Sequence, residues 1–239
     1  MTLPRFDAAT PQLRLAQLRS AVDGRIVFTT SFGLEDQALT HMIRNADLNI
    51  DIVTIDTGRL FPETYRLWAE TEERYGLRIR SVHPNPADLA ALLEDWGVNG
   101  FYYSKDARHA CCAIRKVAPL QQALAGASAW VTGLRADQSS TRQQLDPISI
   151  DDHHQLLKAA PLHDWTRADT ALFCATNLIP VSPLHDKGFL SIGCEPCTRA
   201  VRPGEGERAG RWWWEQDDTK ECGLHLQADG RLVRIKEPV

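Results

Sequence analysis

The sequence predicts an α/β fold in which a parallel sheet is covered by helices on both faces. Two observations carry that expectation. Strand-like and helix-like runs alternate with short connections, and the strand-like runs break into polar turns at their ends. Residues 25–32, Arg-Ile-Val-Phe-Thr-Thr-Ser-Phe, read as a buried strand ending in such a turn. Glu35 to Asn45 then places Ala38, Leu39, Met42 and Ile43 at the spacing of one helix face. A second strand is expected at 50–55, followed by Asp56-Thr57-Gly58. Pro62 suits the first turn of the next helix, which runs to about Tyr75 before Gly76 ends it. Arg78 to His83 supplies a third strand, and Pro86 opens a helix ending near Gly97. Further strands are expected at 127–134 and 155–160, and a late helix over 166–178.

The 239 residues suffice for one substantial domain with a small appendage. Hydrophobic content of 43% and charged content of 24% are those of an ordinary soluble globular protein. A net charge of −4 gives no overall attraction for nucleic acid or anionic membrane, so neither is an expected partner. Any anion site must be built locally. No stretch approaches the length of a transmembrane span, and Met1 to Asp7 lacks the apolar core of a signal peptide. A cytoplasmic location is therefore expected. In that reducing setting cysteines favour metal binding or catalysis over structural disulfides.

Composition shifts after about residue 202, where Arg-Pro-Gly-Glu-Gly-Glu-Arg-Ala-Gly has no apolar periodicity and reads as a mobile or extended connection. The expected organisation is a main domain over 1–202 and a tail over 203–239, too short for its own core, that closes over the main domain. Trp212-Trp213-Trp214 reads as the anchor that docks it.

Five of the six cysteines carry the chemistry. Cys111 and Cys112 are adjacent, Cys194 and Cys197 form a Cys-x-x-Cys, and Cys222 stands in Lys220-Glu-Cys-Gly-Leu-His225. Two pairs of thiolates make a complete metal ligand set. Zinc, an iron–sulfur cluster and a redox dithiol are all compatible with Cys-x-x-Cys. Tandem cysteines are unusual in zinc modules, whereas a cubane presents several iron corners that neighbouring side chains can share, so the spacing favours the cluster. Cys222 has Lys220, His225, Arg208 and Arg211 as potential thiolate-stabilising cations, with Glu221 opposing them. Its plain alternative is a surface thiol. Cys174, in Ala171-Leu-Phe-Cys-Ala175, reads as a small core residue.

Two loops fall where strands give way to helices: Ser31-Phe32-Gly33-Leu-Glu-Asp36 and Asp56-Thr57-Gly58-Arg59. Backbone N–H groups there favour an anion such as phosphate, and together the loops could line one nucleotide pocket. The plain alternative is a pair of ordinary turns capped by serine and aspartate. Basic residues cluster at Arg115-Lys116, at Arg135 with Arg142, and at Arg208 with Arg211.

Taken together, these residues resemble the adenylyl-sulfate reductases of assimilatory sulfate reduction, a family that also contains phosphoadenylyl-sulfate reductases. Seven motifs carry the resemblance in order along the chain. They are Ser31-Phe-Gly-Leu-Glu-Asp36, Ile55-Asp-Thr-Gly-Arg-Leu-Phe-Pro-Glu-Thr-Tyr65, Cys111-Cys-Ala-Ile-Arg-Lys116, Thr132-Gly-Leu-Arg-Ala-Asp-Gln138, Cys194-Glu-Pro-Cys197, Gly210-Arg-Trp-Trp-Trp-Glu215 and Lys220-Glu-Cys-Gly-Leu-His225. The resemblance implies a Rossmann-like sheet of the adenine nucleotide alpha hydrolase-like kind, with nucleotide and cluster bound by residues 1–202 and catalysis in the tail. It implies a [4Fe–4S] cluster on Cys111, Cys112, Cys194 and Cys197. It also implies that the Cys222 thiolate attacks the sulfur of adenosine 5′-phosphosulfate, AMP leaves, and thioredoxin or a similar dithiol releases sulfite from the S-sulfocysteine. Lys116, Arg135, Arg208, Arg211 and His225 would then line the phosphosulfate, with Ser31, Phe32, Gly33, Asp56, Thr57, Gly58 and Arg59 in the nucleotide pocket. A homo-oligomer is compatible with this scheme.

Three alternatives come from the same residues. Phosphoadenylyl sulfate is the nearest substrate. An ATP pyrophosphatase-type enzyme would carry a Ser-Gly-Gly-x-Asp-Ser loop, but here Phe32 replaces the first glycine and Gln37 succeeds Asp36. A non-enzymatic redox sensor bearing zinc or a cluster would leave Cys222 dispensable.

Overall fold

The computed structural model describes residues 3–138, 142 and 145–215. Short apolar runs give the strands β1 (Ile26–Thr30), β2 (Asp51–Ile55), β3 (Arg80–Val82), β4 (Ala129–Val131), β5 (Ile148–Asp151) and β6 (Leu156–Ala159). The helices are α1 (Pro11–Ala21), α2 (Leu34–Asn45), α3 (Pro62–Tyr75), α4 (Pro86–Trp96), α5 (Lys105–Cys112), α6 (Ala118–Leu124) and α7 (Arg167–Thr176). Local chemistry sets their ends. Asn85 accepts hydrogen bonds from the N–H groups of Ala87 and Asp88 to start α4, and Thr166 with Asp169 forms a capping box on α7. Gly76 closes α3 at φ 58°, a backbone geometry that costs glycine little.

The strands pair in the order β3-β2-β1-β4-β6-β5, all parallel except β5, which runs antiparallel to β6. Side chains alternate across this sheet. Ile26 and Phe28 of β1, Ala129 and Val131 of β4, and Leu157 and Ala159 of β6 face one core, packed against α1, α2 and α7. Val27, Trp130 and Leu156 face the other, against Leu120, Ala123 and Leu124 of α6. The sheet is thus covered on both faces, as expected from the sequence. Cys174 is 3% exposed in the first core, where burial pushes its thiol up to about 12, so it behaves as the core residue expected.

Three differences from the sequence reading matter. First, β5 makes the sheet mixed; its four residues come after a polar stretch and offer little periodicity. Second, the segment from Lys105 to Leu124 is helical throughout, with a π-helical turn over Ala113–Val117 between α5 and α6. Its mixed polar composition and Pro119 hide that periodicity. Third, the connection read as mobile or extended after residue 202 is fastened to the body as far as Glu215. Thr198 bridges Arg211 in antiparallel pairing, the Trp212 N–H donates to the Cys197 carbonyl at 3.1 Å, and Trp212 is fully buried. Arg108 then holds Glu215 at 2.8 Å. Packing therefore continues across residue 202, with Trp212 and Trp214 in one cluster with Phe101, Cys194 and Cys197. No helix among the described residues is long and apolar enough to cross a membrane.

Because the chain passes from β1 outward to β2 and β3, then returns to β4 on the other side of β1, the order reverses between β1 and β4. Loops leaving the carboxyl ends of those two strands diverge and open a crevice.

Candidate active site

A cleft of ≈ 250 Å³ occupies that crevice. Its first wall is the turn after β1. The Ser31 N–H and hydroxyl both donate to Asp36 Oδ2, at 2.6 and 2.8 Å, tying the turn to the first turn of α2. Burial pushes the Asp36 carboxyl up to about 6 despite those two hydrogen bonds. Ser31 and Gly33 line the cleft. Phe32 does not: at φ 60° its ring turns into an apolar cluster with Leu67 and Ile79 and stacks on Trp68 at 5.6 Å. The side chain expected at the nucleotide is therefore a core residue. The loop after β4 passes close to this turn: a Cβ on Gly133 would collide with the Asp36 carboxylate, so a larger residue there requires Asp36 to shift.

The turn after β2 is held by Asp56, whose Oδ1 accepts from the Gly58 N–H and the Tyr65 hydroxyl, both at 2.8 Å. Of Asp56 to Arg59, Thr57 is the residue that lines the cleft. Asp56 and Gly58 shape the turn behind it. Arg59 points elsewhere, donating to the Val98 carbonyl at 3.3 Å and Asn99 Oδ1 at 2.7 Å, with its guanidinium 5.4 Å from the Phe101 ring centre.

Cys194 lines the cleft, and Cys111 and Cys197 pack in one cluster with it. Cys111 and Cys112 end α5, and Cys194 and Cys197 bracket a short turn, Glu195–Cys197. Cys112, Cys194 and Cys197 are buried and Cys111 partly so; all four are free thiols. Cys111, Cys194 and Cys197 pack with Phe101, Trp212 and Trp214. Burial and the nearby sulfurs of Cys194 and Cys112 push Cys197 up to about 12. Burial also raises Cys194, but Lys116, the Thr57 hydroxyl 3.3 Å away and Arg211 outweigh it and leave that thiol lowered. Lys116 stands on the π-helical turn immediately after Cys111 and Cys112, an irregularity common at functional sites.

These residues fit a metal–sulfur core on two grounds. The donor set is four thiols, with Lys116 and Arg211 acting on one of them, Cys194. The fully buried indole N–H of Trp212, in the same cluster, has no hydrogen-bond partner among the described residues and lacks an acceptor.

Lys116, Arg142, Arg208 and Arg211 line the cleft and give it a cationic wall. Arg211 is locked in place, 4.7 Å from the Trp212 ring centre, and a Cβ on Gly193 would collide with its guanidinium. Arg135 corrects the sequence reading. It is 0% exposed and donates to Glu35 at 2.7 Å, Asp137 at 3.2 Å and Glu207 at 2.9 Å, so its charge is spent on three carboxylates. Sequence reasoning missed Glu207 and His185, which also lines the cleft. Glu35 and Asp137, inside the motifs that carry the resemblance, were the available hint that Arg135 had anionic neighbours. Cys222, Lys220 and His225 lie outside the described residues.

Comparison with known proteins agrees with this arrangement. Residues 25–200 match the family described as phosphoadenosine phosphosulfate reductase domain. A Sinorhizobium fredii protein named adenosine 5′-phosphosulfate reductase is 52% identical over 213 residues, covering 89% of this chain and 84% of its own. One of the same name from Allochromatium vinosum is 50% identical over 224 residues, covering 94% and 87%. Among solved structures, the phosphoadenylyl-sulfate reductase of Candida auris, in a phosphate complex, superposes with a TM-score of 0.68 at 25% identity. It covers 80% of this chain and 90% of that one. Yeast FAD synthetase, at 19% identity and a TM-score of 0.54, shares the fold, covering 80% of this chain and 64% of its own. A crevice at the β1–β4 switch point, with Cys194 in its lining and Cys111 and Cys197 packed in one cluster with it, on a chain matched over residues 25–200 leads to one assignment: the chain belongs to the phosphoadenosine phosphosulfate reductase family.

Proposed function

We propose that this protein reduces adenosine 5′-phosphosulfate to sulfite and AMP through a sulfonated Cys222, with thioredoxin or a similar dithiol as electron donor. The observation that carries the reading is the junction of nucleotide crevice and cysteine cluster at Lys116. That residue lines the cleft and also acts on the Cys194 thiol. The names of the Sinorhizobium and Allochromatium relatives support the substrate.

The amino end of α2 offers backbone N–H groups to the nucleotide phosphate, because the first turn of a helix leaves them without intrahelical partners. Thr57 and Gly133 complete the nucleotide wall. A thiolate approaching a sulfuryl group meets the negative charge of its oxygens. Lys116, Arg208, Arg211 and, from the tail, His225 reduce that repulsion. Arg142 extends the same cationic wall from the loop after β4. Cys222 Sγ forms the new bond to sulfur, and the sulfur–oxygen bond to phosphate breaks with its electron pair going to AMP. The reductant's thiolate then attacks Cys222 Sγ, sulfite departs with the electrons of the sulfur–sulfur bond, and a second thiol resolves the mixed disulfide.

Reach allows this. Glu215 is fastened by Arg108, and Cys222 lies seven positions further on, a span of up to about 25 Å. The tail must close for attack and open for the reductant. A [4Fe–4S] cluster on Cys111, Cys112, Cys194 and Cys197 would supply a fixed charge that orients Lys116 beside the sulfuryl group.

The test is anaerobic mixing of the purified protein with adenosine 5′-phosphosulfate, with and without thioredoxin. Without thioredoxin, AMP and a sulfo adduct on Cys222 are expected; with it, stoichiometric sulfite. Sulfite released by Cys222→Ser, or an unmodified Cys222 in the wild type, overturns the reading. Iron content and the visible spectrum test the cluster, and phosphoadenylyl sulfate run in parallel tests the neighbouring substrate.

A further inference from the structure

Three walls of the cleft meet at one buried guanidinium. Arg135, from the loop after β4, donates Nε–H to Glu35 in the first turn of α2 at 2.7 Å. Its Nη2 donates to both oxygens of Glu207, at 3.1 and 2.9 Å, in the segment beyond the second cysteine pair. Arg167, at the start of α7, approaches Glu207 at 3.5 Å. Two guanidinium charges thus face the three carboxylates of Glu35, Asp137 and Glu207, which leaves no positive charge over for a ligand. Buried pairs of this kind add little net stability, but they set geometry.

Glu207 sets the geometry of its neighbour. Arg208 lines the cleft, and the backbone around it is a tight turn: the Ala209 N–H donates to the Gly206 carbonyl at 3.0 Å, and the Arg211 N–H to the Arg208 carbonyl at 2.9 Å. With residues 206–211 wound this closely, the anchored side chain of Glu207 fixes the direction of the next one. We propose that Arg135 and Glu207 are positioning residues whose ion pair holds Arg208 against the anionic group of the substrate, an inference that rests on the phosphosulfate reading.

Glu207→Gln keeps the shape and removes the charge, which suits it better to the test than Arg135→Ala, which would remove the cation that three carboxylates share. Dissociation constants are measured for adenosine 5′-phosphosulfate and for adenosine, which lacks the anion. Glu207→Gln is expected to weaken the nucleotide about tenfold and adenosine less than twofold. Arg208→Ala should weaken the nucleotide at least as much, and Glu207→Gln added to Arg208→Ala should cost nothing further, because the two act through one contact. Arg135→Lys, which keeps the charge but cannot bridge three carboxylates, must show the same dependence on Arg208. Additive losses, or an equal loss of adenosine binding, overturn the positioning role while leaving the substrate reading intact. Wild-type protein that binds the nucleotide no better than adenosine overturns both.

Discussion

Asp36 offers the most quantitative test of the cleft. Its carboxyl is buried beneath the Ser31 turn, and burial raises its pKa from 3.8 to about 6 against the pull of two Ser31 hydrogen bonds. The sign comes from linkage. A carboxyl whose folded pKa lies above its unfolded one favours the fold while protonated, so its contribution is complete below pH 3.8 and is lost as pH rises through 6. A pKa difference of that size corresponds to about 3 kcal/mol once both states are ionised, and to about half of that at pH 5. Asp36→Asn keeps an oxygen able to accept from Ser31 and cannot ionise. The variant should therefore gain stability over wild type progressively, by about 1.5 kcal/mol at pH 5 and about 3 kcal/mol at pH 8. Urea unfolding across that range, monitored by tryptophan fluorescence, reads the difference. A variant less stable at every pH would refute the reasoning. It would show that the Ser31 turn needs the ionised acceptor more than burial penalises it.

Other substitutions separate core roles from site roles. Phe32→Ala should cost about 3–5 kcal/mol of stability, read as a denaturant midpoint, because the ring is 2% exposed and packs on Trp68. Gly133→Ala drives a methyl group into the Asp36 carboxylate and should lose about 1–3 kcal/mol by the same measurement. Glu215→Ala leaves Arg108 buried beside Cys112 without its carboxylate; a loss of about 3–5 kcal/mol and faster proteolysis after residue 202 are expected. Unchanged cleavage there would show that the Trp212 packing alone fastens the segment.

Periodicity and punctuation are local properties, and they located most of the sheet and its helices. The apolar face of α2, Pro62 and Gly76 around α3, and Pro86 at α4 act within a few residues of themselves, so one chain read in order suffices. Cysteine spacing was legible for the same reason. β5 and the helix through Cys111 and Cys112 were not, since short polar segments take their form from the packing around them. Arg59 and Arg135 show the limit more sharply. Both sit at strand ends beside the expected pocket, yet one turns to Val98 and Asn99 and the other into carboxylates.

From the amino acids alone came the α/β class, the pairing of two cysteine sets with a separate thiol, and the family resemblance. All three are written in spacing along the chain. Tertiary structure alone decided which cations face the cleft. A guanidinium takes the nearest desolvated carboxylate, and Glu207 reaches Arg135 from 72 positions away. Charge is a property of residue type, but its availability to a ligand depends on which partners the fold brings within about 3 Å of it.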